Sequence, residues 1–135
     1  MHAEKRQVGK RCAGLSVGDA ALAHKQAVAG GGKSVLAPTT LKDEVTGKTT
    51  VVSEVAAYGD VVLRFLSGDY DGPFLPNYAT VDGPSISYGV QRLDHAVGNV
   101  PCLFDATDYL MAVTGANLRV MQHGMKRRPT GEIQH

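Results

Sequence analysis

Apolar positions in the first third of the chain follow two different periods. Ala20, Ala23, Ala27 and Val28 recur at helical spacing and make one apolar stripe on a short Ala-rich helix. Asp19 stands just before it, where a carboxylate accepts from the free backbone amides of a first turn. Gly30-Gly31-Gly32 stops it, because glycine enters the left-handed conformation of a helix end without a Cβ penalty. Ahead of the helix, residues 11–17 are short, β-tolerant and bounded by Gly18-Asp19. Behind it, residues 34–37 read as a strand ending at Pro38, and residues 42–48 carry turn chemistry. Residues 49–56 are rich in β-branched side chains; Tyr58-Gly59-Asp60 turns the chain and residues 61–66 return it. The order strand, helix, strand, strand, strand predicts an α+β fold built on one βαβββ module, placed at residues 9–67.

From Ser67 the pattern breaks. Gly68, Asp69, Asp71, Gly72, Pro73, Pro76, Asn77, Asp82, Gly83 and Pro84 mark residues 68–89 as a linker. Phe74, Leu75, Tyr78 and Tyr88 have apolar area to bury, so the expected form is a connector packed along a surface. The opening pattern then restarts at residues 90–123. A strand candidate at 92–100 ends at Pro101, and Leu103, Ala106, Leu110 and Val113 follow at helical spacing before Gly115. Residues 117–122 offer a further strand. Setting Val17 on Val100 aligns the two halves, with Gly32 on Gly115 and Cys12 on His95; the identities are few and the repeat rests on element order. Residues 124–135, with a small basic cluster at Lys126-Arg127-Arg128, are expected to be a disordered, solvated tail.

Composition narrows the classes. Fourteen Lys and Arg against thirteen Asp and Glu give a net charge of +1, which argues against an electrostatic nucleic-acid partner. Two Cys make neither a disulfide framework nor a thiolate zinc site. No run approaches the ~18 apolar residues of a membrane span, and the polar, basic start carries no targeting signal. Sixteen Gly in 135 residues exceed the usual ~7% and suit a chain that turns often.

The residue that stands out chemically is His95. In a strand, Leu93, His95, Val97 and Asn99 share one face and Asp94, Ala96 and Gly98 the other. An imidazole among apolar neighbours on the inner face of a sheet is either a buried neutral His with a satisfied hydrogen bond or a metal ligand. One His cannot hold a metal, and companions are scarce. His24 falls on the polar side of the first helix, His2 and His135 lie at the ends, and His123 follows the last strand candidate. Glu54, if it faces inward, must be paired or ligating. Asp94 suits an ion pair with Arg92 or Arg64 better than contact with His95. Gly30-Gly31-Gly32 follows a helix instead of preceding one, so it is a cap and not a phosphate cradle.

Two stretches carry a resemblance. The first is Glu54-Val55-Ala56-Ala57-Tyr58-Gly59-Asp60-Val61-Val62-Leu63-Arg64-Phe65, followed by Phe74-Leu75-Pro76-Asn77-Tyr78. The second is Tyr88-Gly89-Val90-Gln91-Arg92-Leu93-Asp94-His95-Ala96-Val97-Gly98-Asn99-Val100-Pro101. In order and spacing they resemble the 4-hydroxyphenylpyruvate dioxygenase family, its plant and algal members above all. The likeness is strong from Val55 to Val113, weaker back to Val8, and lapses after Gly115.

The resemblance implies a vicinal-oxygen-chelate architecture, in which βαβββ modules pair into half-barrels. It implies an Fe(II) oxygenase with two His and one Glu as ligands, converting 4-hydroxyphenylpyruvate and O2 to homogentisate and CO2 in tyrosine catabolism. His95 matches the first metal ligand, Val97 lines the pocket beside the metal, and Asn99 shares that face. The other two ligands match nothing here, and His123 is not at the second ligand's position. On this reading residues 9–67 belong to a non-catalytic domain and 90–123 begin the catalytic one. The chain is then a fragment, inactive alone, of a cytoplasmic or plastid enzyme that is a homo-oligomer with a small 2-oxo acid and O2 as partners and no nucleic acid or membrane. Hydroxymandelate synthase shares fold, metal and substrate. The alternatives are a non-catalytic truncated paralogue and a small glyoxalase-like metalloenzyme completed by dimerisation.

Overall fold

The computed structural model describes residues 11–83 and 88–117. In order these form β1 (Arg11–Ser16), α1 (Ala20–Ala29), β2 (Ser34–Lys42), β3 (Thr49–Ala56), β4 (Val61–Gly68) and α2 (Leu103–Thr114). The strands make one mixed sheet in the order β1-β4-β3-β2: β1 runs parallel to β4, and the other pairs are antiparallel. This is the βαβββ module expected from the periodicity. The expected strands at 117–122 and tail at 124–135 fall outside the described residues, apart from Asn117, which joins no strand.

Helix α1 begins where Asp19 predicts. One oxygen of its carboxylate accepts the amides of Ala21 and Leu22 at 2.8 and 2.9 Å, and the helix ends at Gly30. Ala20 and Ala27 are fully buried, and their small side chains let the helix backbone lie close to the sheet. At that closeness Ser53 Oγ donates to the Ala20 carbonyl at 3.0 Å, and the Ala20 amide donates to Ser67 Oγ at 2.9 Å. Val55, Leu63 and Phe65 complete the core beneath the helix. The central strand β3 buries most of its length and β4 is buried or half-buried up to its last residue, whereas every residue of the edge strand β1 is exposed.

One boundary differs from expectation. β2 does not end at Pro38 but runs on to Lys42. Its register on β3 shifts between Leu36 and Thr39, so Pro38 sits in the irregularity. β2 is also a sheet edge. A proline has no amide to give a ladder, and an edge or a bulge is where a sheet tolerates one.

Helix α2 lies beside α1, stopped by Gly115 with φ 68°. Val113 enters the shared core, and Tyr109 Oη donates to the Ala56 carbonyl at 2.6 Å. The two helices meet where α1 ends: a Cβ at Gly30 would run into the carbonyl of Ala112, and one at Gly32 would press on Val113. From Asp69 onward the described part of the connector contains no helix or strand. Pro76 is buried and Leu75 half-buried, but Phe74, Tyr78 and Tyr88 stay largely exposed.

Candidate functional site

Residues 88–100 run without joining the sheet, and the strand expected at 92–100 is not formed. His95, expected on an inner sheet face, is exposed, as are Leu93 and Val97, each more than four-fifths accessible. Alternating side chains give a segment two faces. They do not supply the neighbouring backbone that must pair its amides and carbonyls, and none of β1–β4 does so here.

The missing ladder changes the partner of His95. In a strand, Asp94 and His95 point to opposite faces. Here Asp94 Oδ2 lies 2.8 Å from His95 Nδ1, so the expectation that Asp94 makes a poor direct partner does not hold. Asp94 Oδ1 stands 3.6 Å from Arg92 Nη2, the ion pair that was expected. Both groups of the Asp94–His95 pair are about three-quarters exposed, so the contact orients the ring more than it stabilises the fold. With the proton on Nδ1 and donated to the carboxylate, Nε2 keeps a lone pair, the form in which imidazole binds a metal.

Beyond His95 the chain folds back onto the module. Gly98 lies against the Tyr58 hydroxyl, which any Cβ there would strike. Val97 and Asn99 line a cleft of about 510 Å³ together with Arg11, Cys12 and Tyr58. His95 is not part of that lining, so the structure places Val97 and Asn99 together but does not bring His95 to them. His24 sits at the surface, its Nε2 3.0 Å from Ser34 Oγ. His2, His123 and His135 lie outside the described residues. Among the described residues no three His, Cys, Asp or Glu side chains form a group able to hold a metal. These residues therefore supply one imidazole donor and do not by themselves fit an iron ion.

A second polar cluster was only half seen in the sequence, which asked for a partner to a buried Glu54 but offered Arg64 to Asp94. Glu54 is a buried carboxylate, 7% exposed, on the sheet face opposite the helices, and it is paired. Arg64 Nε and Nη2 donate to its Oε1 at 2.8 and 2.6 Å. The signal was present in the hairpin: a ladder folding about Gly59 puts residues 54 and 64 directly opposite each other. Gly14 lies across from Arg64 on the other side, and Cys12 follows two residues earlier on the same face of β1. Burial pushes the Cys12 thiol up, with Arg64 opposing and Glu54 reinforcing that shift. A thiol held protonated in this way is a weak nucleophile and a weak ligand.

No family model matches the chain. Curated proteins do. A 4-hydroxyphenylpyruvate dioxygenase of Daucus carota is 42% identical over 118 residues, which are 84% of this chain and 26% of that protein. The enzyme of the same name from Plectranthus scutellarioides is 45% identical over 111 residues, 78% of this chain and 24% of the relative. That of Arabidopsis thaliana is 39% identical over 115 residues, 80% and 25% respectively. The chain thus spans about a quarter of the length of the curated relatives it matches.

Proposed function

We propose, from the premise that the chain belongs over its matched residues to the 4-hydroxyphenylpyruvate dioxygenase family, that it forms part of an Fe(II)-dependent oxygenase. The reaction is conversion of 4-hydroxyphenylpyruvate and O2 to homogentisate and CO2. The observation that carries this reading is the extent of the match, 84% of the chain, too long to miss His95 or the greater part of the βαβββ module.

Within that reading His95 is one of three protein donors, presenting Nε2 while Asp94 holds Nδ1. Val97 and Asn99 belong to the wall of the substrate pocket. The remaining donors come from outside the described residues. Residues 9–67 act as a scaffold module, 68–89 as a linker and 90–123 as the opening of the catalytic domain. Bound iron would supply oxygen activation; the share of this chain is to place one imidazole and to shape the wall beside it. The same reading carries homo-oligomeric assembly and a cytoplasmic or plastid location. Among the described residues no helix is long and apolar enough to cross a membrane.

The test is a chimera in which the matched residues replace the corresponding quarter of the carrot enzyme, assayed for homogentisate from 4-hydroxyphenylpyruvate. The chimera should turn over substrate, and its His95→Ala form should lose at least ~10²-fold. Full activity after His95→Ala would overturn the ligand role. A folded chimera without activity would overturn the enzyme reading.

A further inference from the structure

Asn77 is the non-glycine residue among those described that takes a positive φ, 68°. Among L residues Asn takes that conformation most readily, and hydrogen bonds from its surroundings hold it there. Here the fixing groups come from 33 to 35 residues upstream. The Asn77 amide donates to Asp43 Oδ2 at 3.0 Å, and Asn77 Nδ2 donates to the Lys42 carbonyl at 2.9 Å. Asn77 Oδ1 in turn accepts the Glu44 amide at 3.1 Å.

Asp43, 7% exposed, is itself held: its Oδ1 accepts the amides of Val45 and Thr46 at 3.2 and 2.8 Å and Thr46 Oγ1 at 2.9 Å. The other end of the same stretch is tied to the same turn. Asp69 Oδ1 accepts the Thr49 amide at 2.8 Å, and Lys48 Nζ lies 2.8 Å from Asp71 Oδ2. Between these ties Tyr70, Phe74 and Leu75 border a hollow on the sheet with Ser16, Thr50 and Leu66.

We propose that residues 69–78 are a strap drawn across this sheet face, with Asn77 as its buckle. The strap belongs to the first module. The buckle therefore sets the point and direction from which the chain leaves the module toward His95. Asn77 is a positioning residue acting through Lys42, Asp43 and Glu44, and this assignment stands independently of the enzyme reading.

Amide hydrogen exchange on the full chain tests it. Asn77→Gly keeps the left-handed backbone available and removes both side-chain bonds. It should cut protection at Glu44 and at residue 77 about ten-fold while leaving residues 52–55 and 62–65 unchanged. Unchanged protection at Glu44, or a loss spread equally into β3 and β4, would overturn the proposal. A measurement on the unaltered chain guards against a variant that fails to fold. As denaturant is added, the amides of Glu44, Thr46 and Asn77 should open together and before those of β3 and β4. Opening only with the whole sheet would contradict a separate buckle.

Discussion

Arg64 brings both Nε and Nη2 to a single oxygen of Glu54, at 2.8 and 2.6 Å, from the position directly opposite on the β3–β4 ladder. The carboxylate side chain is 9% exposed and the guanidinium side chain 28%. Such a pair repays its desolvation only while both partners are present. Arg64→Leu should therefore destabilise the chain by about 3 kcal/mol, since it strands a buried charge. The double change Glu54→Leu with Arg64→Leu should recover more than half of that loss. Denaturant melts of the two variants decide it. Equal losses would mean that the pair is only packing.

The docking of α2 rests on the absence of a side chain at Gly30, where a Cβ would strike the Ala112 carbonyl. Gly30→Ala should cost about 1–3 kcal/mol, because backbone cannot yield as a side chain can. Protection of the Val113 amide should fall with it. The same substitution at Gly59, which has φ 54° and open space around its Cβ, tests strain without collision and should leave Val113 protected.

Acid should loosen the turn that anchors the strap. The backbone amide of Thr46, then the amide of Asn77 and the Thr46 hydroxyl, hold the Asp43 carboxyl below its usual range. Asp69 is lowered chiefly by the Thr49 amide, and Asp71 chiefly by Lys48. A carboxyl depressed in the folded state gives stability that is fully present above the unfolded pKa of about 3.9 and is lost as pH falls through the lower folded value. Thermal midpoints should hold steady down to about pH 4 and then drop. In Asp43→Asn that drop should be shallower, from a lower starting midpoint. An identical acid profile in the variant would contradict the assignment to Asp43.

Local chemistry made much of the fold legible. Asp19 and Gly30 bracket α1 because a cap and a stop act on their own neighbours. The β-branched run gave β3 at residues 49–56, and Gly115 gave the end of α2. What escaped was non-local or conditional. Pro38 reads as a strand end until the register shift that shelters it is known. The segment at 92–100 has a strand's alternation, but alternation does not supply a partner, and so Asp94 reached His95. Asp43 and Asn77 lie 34 residues apart, beyond any periodicity. Glu54 and Arg64 were within reach, because the Tyr58-Gly59-Asp60 turn fixes which residues of its hairpin face each other. His95 itself was singled out by its apolar neighbours and by the motif around it, not by any visible partner ligand.

In the proposed function His95 is one of three donors to an iron ion. Iron content of the carrot-enzyme chimera measures this most directly, because it does not depend on turnover. Close to one Fe(II) per chain is expected in the chimera and in its His24→Ala form, with affinity falling by at least about 10- to 100-fold in His95→Ala. Iron retained undiminished after His95→Ala would contradict it.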